Sequence, residues 1–167
     1  MSQVKTFGVV GSGIIGAGWA ARALAAGLDV LAFDPEPGAK SRLQSKIEQI
    51  WPVLERTGLF PGASMKRLQF CDSVEAVASG ADFVQESAPE RIDLKIQLHA
   101  QIDAAAAPNV VIASSTSGLL PSEFQAQCAH PERIIVGHPF NPVYLLPLVE
   151  VLGGRQTAAA SLERAVK

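Results

Sequence analysis

His138, Glu150 and Ser117 are the residues of this 167-residue chain best suited to moving a proton. A neutral imidazole titrates near working pH, so His138 can take the proton of a hydroxyl group. A hydroxyl donor such as Ser117 can hold the reacting oxygen. A carboxylate such as Glu150 can fix the imidazole tautomer and stabilise its charged form. A second set, Gly11-Ser12-Gly13-Ile14-Ile15-Gly16, can grip a pyrophosphate. In Gly-x-Gly-x-x-Gly the first glycine makes a tight turn and the second lets the backbone approach the phosphates. The third lets a helix pack against the preceding strand. The free N–H groups of that helix, whose first turn carries Ile14 and Ile15, face the anion. Asp34 ends a second apolar run about twenty residues later. A carboxylate there accepts hydrogen bonds from the adenosine ribose and repels a 2′-phosphate. The expected cofactor is therefore NAD rather than NADP.

These residues need a scaffold, and the chain alternates strand-like with helix-like segments. Strands are expected over residues 6–10, 30–33, 68–70, 81–86, 110–113, 134–136 and 148–152. Helices are expected over 14–26, 35–51, 74–78, 94–107 and from 157 onward, with Pro52 kinking or breaking the second. This alternation implies an α/β fold, a doubly wound, mostly parallel Rossmann sheet with right-handed crossovers. Ligands of such sheets sit at the carboxyl ends of the strands. The glycines, Asp34, Glu86, Ser115, Ser117 and His138 all fall there.

Leu148, Glu150 and Leu152 share one strand face, so Glu150 is expected to be shielded and to need a partner. Residue chemistry alone leaves a second reading open: an edge-strand glutamate in solvent, and a turn histidine before Pro139. His99 on a polar helix face and His130 in a loop before Pro131 are expected to be structural. No His, Cys and acid spacing points to a metal.

The formal net charge is −2 and there is no basic stripe, so nucleic acid is not an expected partner. Cys71 and Cys128 form no metal or redox pattern, which fits two reduced thiols in the cytoplasm. The first residues lack the layout of a signal peptide, and no apolar run is long enough to cross a membrane. A membrane partner is therefore not expected either.

Taken together, Gly11–Gly16, Val84-Gln85-Glu86-Ser87-Ala88-Pro89-Glu90 with Lys95, Ser114–Gly118 and His138-Pro139-Phe140-Asn141-Pro142 with Val149-Glu150-Val151 resemble the 3-hydroxyacyl-CoA dehydrogenase superfamily. The resemblance covers nearly the whole chain. It implies that His138 and Glu150 fall on the family's acid–base pair, and that Ser117, with Asn141, contacts substrate. It implies further that Ser115 stands near the nicotinamide carboxamide, where the acyl-CoA enzymes carry Asn, and Glu90 near the nicotinamide ribose.

Within the superfamily, the segments around Trp19, Gln85–Arg91, Ser115–Phe124 and His138–Glu150 are most similar to the L-carnitine 3-dehydrogenase branch. Trp19 and Pro139 depart from the acyl-CoA enzymes, and gulonate 3-dehydrogenases and lens λ-crystallin share features of that kind. The implied activity is NAD-dependent oxidation of L-carnitine to 3-dehydrocarnitine. The alternatives are an L-3-hydroxyacyl-CoA or gulonate 3-dehydrogenase, or a non-catalytic NAD-binding protein like λ-crystallin.

Family members continue into a helical C-terminal domain that completes the pocket and forms the dimer. Residues 1–154 are accordingly expected to be the NAD-binding domain. Residues 155–167 would start a helix leading to a C-terminal domain absent from this chain. The full-length protein is expected to be a homodimer, and the fragment to turn over little.

Overall fold

Short, largely apolar strands, most of them followed by a helix, set the architecture. The computed structural model describes residues 4–166. β1 (Thr6–Val10) runs through the glycine loop into α1 (Ile14–Ala25). β2 (Asp29–Phe33), α2 (Ala39–Thr57) and β3 (Leu68–Phe70) complete the first half. α3 (Val74–Gly80), β4 (Phe83–Glu86), α4 (Ile92–Ala105) and β5 (Val111–Ser114) follow. The chain continues through α5 (Pro121–Phe124), β6 (Ile134–Pro139), β7 (Val149–Gly153) and α6 (Ala159–Ala165).

The strands form one sheet in the order β3-β2-β1-β4-β5-β6-β7. β1 to β6 are mutually parallel and β7 runs antiparallel to β6. The chain starts mid-sheet, winds outward to β3 and then crosses to β4. Adjacent strands β1 and β4 therefore send their following loops in opposite directions, which opens a crevice at their carboxyl ends. The doubly wound α/β expectation holds.

The core lies on both faces of the sheet. On one face, Ala17, Ala20 and Leu24 of α1 and Leu43, Ile47, Trp51 and Leu54 of α2 pack with Val9, Val30 and Ala32. On the other, Val77, Ile102 and Phe124 pack with Val10, Val84 and Ile112. The buried residues of α2 recur every three or four positions, the period that lines one helical face.

Two expectations need correction. Of the two outcomes expected at Pro52, the break does not occur, and α2 runs on to Thr57. Pro52 is exposed, and the hydrogen bond it removes is to the carbonyl of Glu48, another exposed residue, while Trp51 and Leu54 keep the helix docked. His99 is structural, but in the core rather than on a polar face. Its ring lies 4.5 Å from that of Phe124, and its Nδ1 donates to the Lys95 carbonyl at 2.8 Å. Burial, more than any charge around it, holds the His99 pKa below the usual imidazole value. Glu86 ends β4 as expected and is 0% exposed.

The turn that starts α1 has almost no spare room. Gly11 sits at φ 92°, in the left-handed region, and a Cβ on it would stand 2.7 Å from the Ser87 backbone. A Cβ on Gly16 would overlap the Gly11 carbonyl oxygen. Gly16→Ala should therefore lower unfolding stability by about 1–3 kcal/mol, the usual scale for overpacking, and weaken NAD binding. A urea midpoint equal to that of the parent would show that the loop can shift without cost.

Candidate active site

The strand ladders carry their order into the loops above them. Gly11 N–H donates to the Phe33 carbonyl, Ser87 N–H to that of Val10, and Ser115 N–H to that of Glu86, at 2.7–2.8 Å. The loops after β1, β2, β4 and β5 are thereby fixed side by side at one edge.

At the β1–β2 end lies a cavity of about 830 Å³, lined among others by Gly11, Gly13, Phe33, Asp34, Val74 and Leu98. A Cβ on Gly13 would meet nothing within 4 Å, so the space above this backbone is open for an anion. Ile14 is exposed and Ile15 half-buried in the first turn of α1. The first N–H groups of that turn have no side-chain cap, which leaves them available to phosphate oxygens. An open glycine backbone, uncapped donors and a carboxylate beside a deep apolar cavity fit a dinucleotide.

Asp34 has partners within the chain. Its Oδ2 accepts from Ser12 N–H at 2.7 Å and from Ser12 Oγ at 2.9 Å, and its Oδ1 accepts from Glu36 N–H at 3.0 Å. Partial burial alone would raise its pKa. The donors from Ser12 and Glu36, together with the charge of Arg42, outweigh burial and hold the carboxyl below the usual carboxylate range. Asp34 is thus a fixed anion that also braces the glycine loop.

At the other end, His138 and Glu150 are directly opposite each other in the β6–β7 register. His138 Nδ1 lies 2.8 Å from Glu150 Oε2. The pairing expected from the residues is present, and antiparallel register is its cause: opposed Cβ atoms stand close enough for side chains to bond. The shielding expected for Glu150 is not found. β7 is the last strand of the sheet, and the Glu150 side chain is 65% exposed against 27% for His138. Leu148 and Leu152, on the same face, are exposed too.

The Ser114–Gly118 loop is held from below and behind. Ser115 Oγ accepts from Gln85 Nε2 and hydrogen bonds with Ser87 Oγ, both at 2.8 Å. The same Gln85 amide donates to the Gly137 carbonyl at 2.9 Å and so ties this loop to the residue before His138. Glu90 Oε1 accepts from the Thr116 hydroxyl and from the N–H groups of Ser117 and Gly118, the latter two at 3.2 Å. Burial pushes the Glu90 carboxyl up, but Thr116, Gly118, Lys95 and Ser117 together hold it below its ordinary value. Ser117 is exposed. Asn141, also exposed, lines with Ile14 and Tyr144 a cavity of about 210 Å³.

The sequence did not reveal that Glu86, Lys95 and Ser114 meet beneath this loop. Lys95 is 1% exposed, and its Nζ lies 2.8 and 3.0 Å from the two Glu86 oxygens and 3.3 Å from the Ala88 carbonyl. Ser114 Oγ donates to Glu86 Oε2 at 2.5 Å. A signal was available: a carboxylate ending a strand buried on both faces must have a partner. Neither cysteine is an activated thiol. Burial pushes Cys71 up, and with the Asp103 charge pushes Cys128 up to about 12. No group of three or more His, Cys, Asp or Glu residues that could hold a metal occurs among the described residues. None of their helices is long and apolar enough to cross a membrane.

Residues 6–167 match the family described as 3-hydroxyacyl-CoA dehydrogenase, NAD binding domain. The chain belongs to that family, and its cofactor is NAD. The L-carnitine dehydrogenase of Pseudomonas aeruginosa is 60% identical over 167 residues, 100% of this chain and 52% of that protein. That of Streptomyces coelicolor is 54% identical over 160 residues, 96% of this chain and 50% of that protein. Among solved structures, the 3-hydroxybutyryl-CoA dehydrogenase of Escherichia coli K12 superposes with a TM-score of 0.88 at 33% identity. It covers 98% of this chain and 35% of its own. The chain spans about half the length of the curated relatives it matches.

The Asp34 geometry predicts cofactor choice. The wild-type domain should bind NAD more tightly than NADP. Asp34→Ala should narrow that gap and also weaken NAD itself, because Ser12 loses its acceptor. Parallel titrations of the two dinucleotides decide the matter, and equal affinities for the wild type would remove Asp34 as the discriminator.

Proposed function

We propose that the enzyme containing this domain oxidises L-carnitine to 3-dehydrocarnitine. The chemistry rests on the 2.8 Å His138–Glu150 pair at the carboxyl edge of the sheet that also carries the glycine loop. The choice of substrate is supported by relatives named L-carnitine dehydrogenase from several genera.

NAD, when bound, supplies the hydride acceptor. The glycine loop with Ile14 and Ile15 holds its pyrophosphate, Asp34 its adenosine ribose, and Ser115 and Glu90 its nicotinamide end. Ser117 and Asn141 contact the substrate, with the Ser117 hydroxyl bonding the reacting oxygen. His138 takes the hydroxyl proton at Nε2. Glu150 accepts from Nδ1–H, keeps Nε2 unprotonated before reaction, and stabilises the imidazolium afterwards. Phe140 is exposed and its ring lies 5.8 Å from that of His138, an aromatic face within reach of a trimethylammonium group.

Residues 1–154 act in this proposal as the NAD-binding domain, and 155–167 begin the connection to a helical domain through which the enzyme dimerises. Support comes from the curated relatives, each about twice as long as the matched region. A cytoplasmic setting suits Cys71 and Cys128, both free thiols.

The test offers the full-length enzyme L-carnitine, gulonate and a 3-hydroxyacyl-CoA side by side and follows NADH formation. L-carnitine should give the highest kcat/KM. Preference for either rival would replace the substrate assignment. In the same enzyme, His138→Ala should lower kcat by roughly 10²–10⁴-fold, the usual worth of general acid–base catalysis, with little change in NAD affinity. Glu150→Gln should also depress kcat and shift the pH–rate profile. Near-parental turnover by His138→Ala would remove His138 as the base.

A further inference from the structure

Thr116 sits between two residues with proposed tasks, Ser115 and Ser117, yet unlike Ser117 it is buried, 2% exposed, and its hydroxyl is taken up by partners within the chain. That hydroxyl makes three hydrogen bonds. It donates to Glu90 Oε1, and it accepts from Leu119 N–H at 3.0 Å and from Gly118 N–H at 3.4 Å. Glu90 Oε1 also takes the N–H groups of Ser117 and Gly118. The backbone on both sides of the Ser117 side chain therefore closes on one buried hydroxyl and one carboxylate oxygen.

The far end of this arrangement is anchored. Glu90 Oε2 lies 3.8 Å from Lys95 Nζ, and Lys95 is pinned by Glu86 at the end of β4. Glu86 in turn holds Ser114, the last residue of β5. A continuous polar chain thus runs from two buried strand ends, through Lys95 and Glu90, to Thr116. Its last link sets where the Ser117 hydroxyl stands. Reacting groups misplaced by about 1 Å can cost about 10²-fold in rate, so an anchor of this kind has kinetic consequences.

We propose that Thr116 is a positioning residue that acts through Ser117: its hydroxyl, clamped by Glu90, fixes the loop so that Ser117 meets the reacting oxygen of the substrate. The proposal rests on the reading of Ser117 as the substrate-contacting hydroxyl. It gives Glu90 a task within the protein, on Oε1, which leaves Oε2 as the oxygen facing Lys95.

The test is a double-mutant cycle in the full-length enzyme, with Thr116→Val, Ser117→Ala and the pair. It is run on whichever of L-carnitine, gulonate and a 3-hydroxyacyl-CoA the wild type oxidises. A wrong substrate assignment and a wrong role for Thr116 therefore give different results. Thr116→Val should lower kcat roughly 10- to 100-fold, leave NAD affinity within about twofold, and be largely rescued by Thr116→Ser. Because Thr116 acts through Ser117, the double variant should be hardly slower than Ser117→Ala alone. Thr116→Ala removes the same hydroxyl without adding bulk, so a folding defect confined to valine leaves the cycle intact. Wild-type kcat in both hydroxyl-free variants would overturn the proposal. So would losses that multiply in full with that of Ser117→Ala, or a change confined to NAD affinity.

Discussion

Parallel pairing of six consecutive strands is the constraint on which everything else in this domain depends. Each parallel strand ends at the same edge, so every loop that follows one is delivered there. The glycine turn, Asp34, the Ser114–Gly118 loop and His138 lie far apart in sequence and have no other reason to meet. The switch of winding direction between β1 and β4 then opens the crevice they border. The one antiparallel strand is the exception. β7 returns along β6 and brings Glu150 opposite His138. A one-residue slip of that register would send Glu150 to the other face of the sheet.

The edge where these loops gather is polar, and it is held by buried charge. Glu86 and Lys95 are both almost wholly inaccessible, and removing either would strand the other in the interior, a costly state. Ser114, the Ala88 N–H and the Ala88 carbonyl satisfy the remaining bonds of the pair. Gln85 does the corresponding work between Ser115 and Gly137 with an uncharged amide. The hydroxyls above can therefore be exposed and still be well placed. Their supports lie one layer below, on strand ends that cannot move without breaking the sheet.

Much of this was legible in the sequence. The run Thr6–Val10 followed by three spaced glycines marks the first strand, the turn and the helix almost to the residue, because a β-branched run, a tight turn and an Ala-rich face are distinct local signals. The His138–Glu150 pair was legible as chemistry, but its exposure was not. Flanking leucines suggest burial only where another layer covers the strand, and the cover of an edge strand is a tertiary property. The contacts of Lys95 and Thr116 were not legible for a related reason. A lysine in a helix and a threonine among serines look like ordinary surface residues until the end of β4 lands over α4. The break expected at Pro52 does not occur because Trp51 and Leu54, on either side of it, are both buried against the sheet.

In the mechanism proposed above, Glu150 sets the state of His138, so that Nε2 is free to accept a proton. Nitrogen NMR of the His138 ring in the full-length enzyme measures this directly. With Glu150 accepting from Nδ1, the neutral ring should carry its proton on Nδ1, and Glu150→Gln should disturb that preference. A neutral His138 protonated mainly on Nε2, or a tautomer indifferent to Glu150→Gln, would contradict the account.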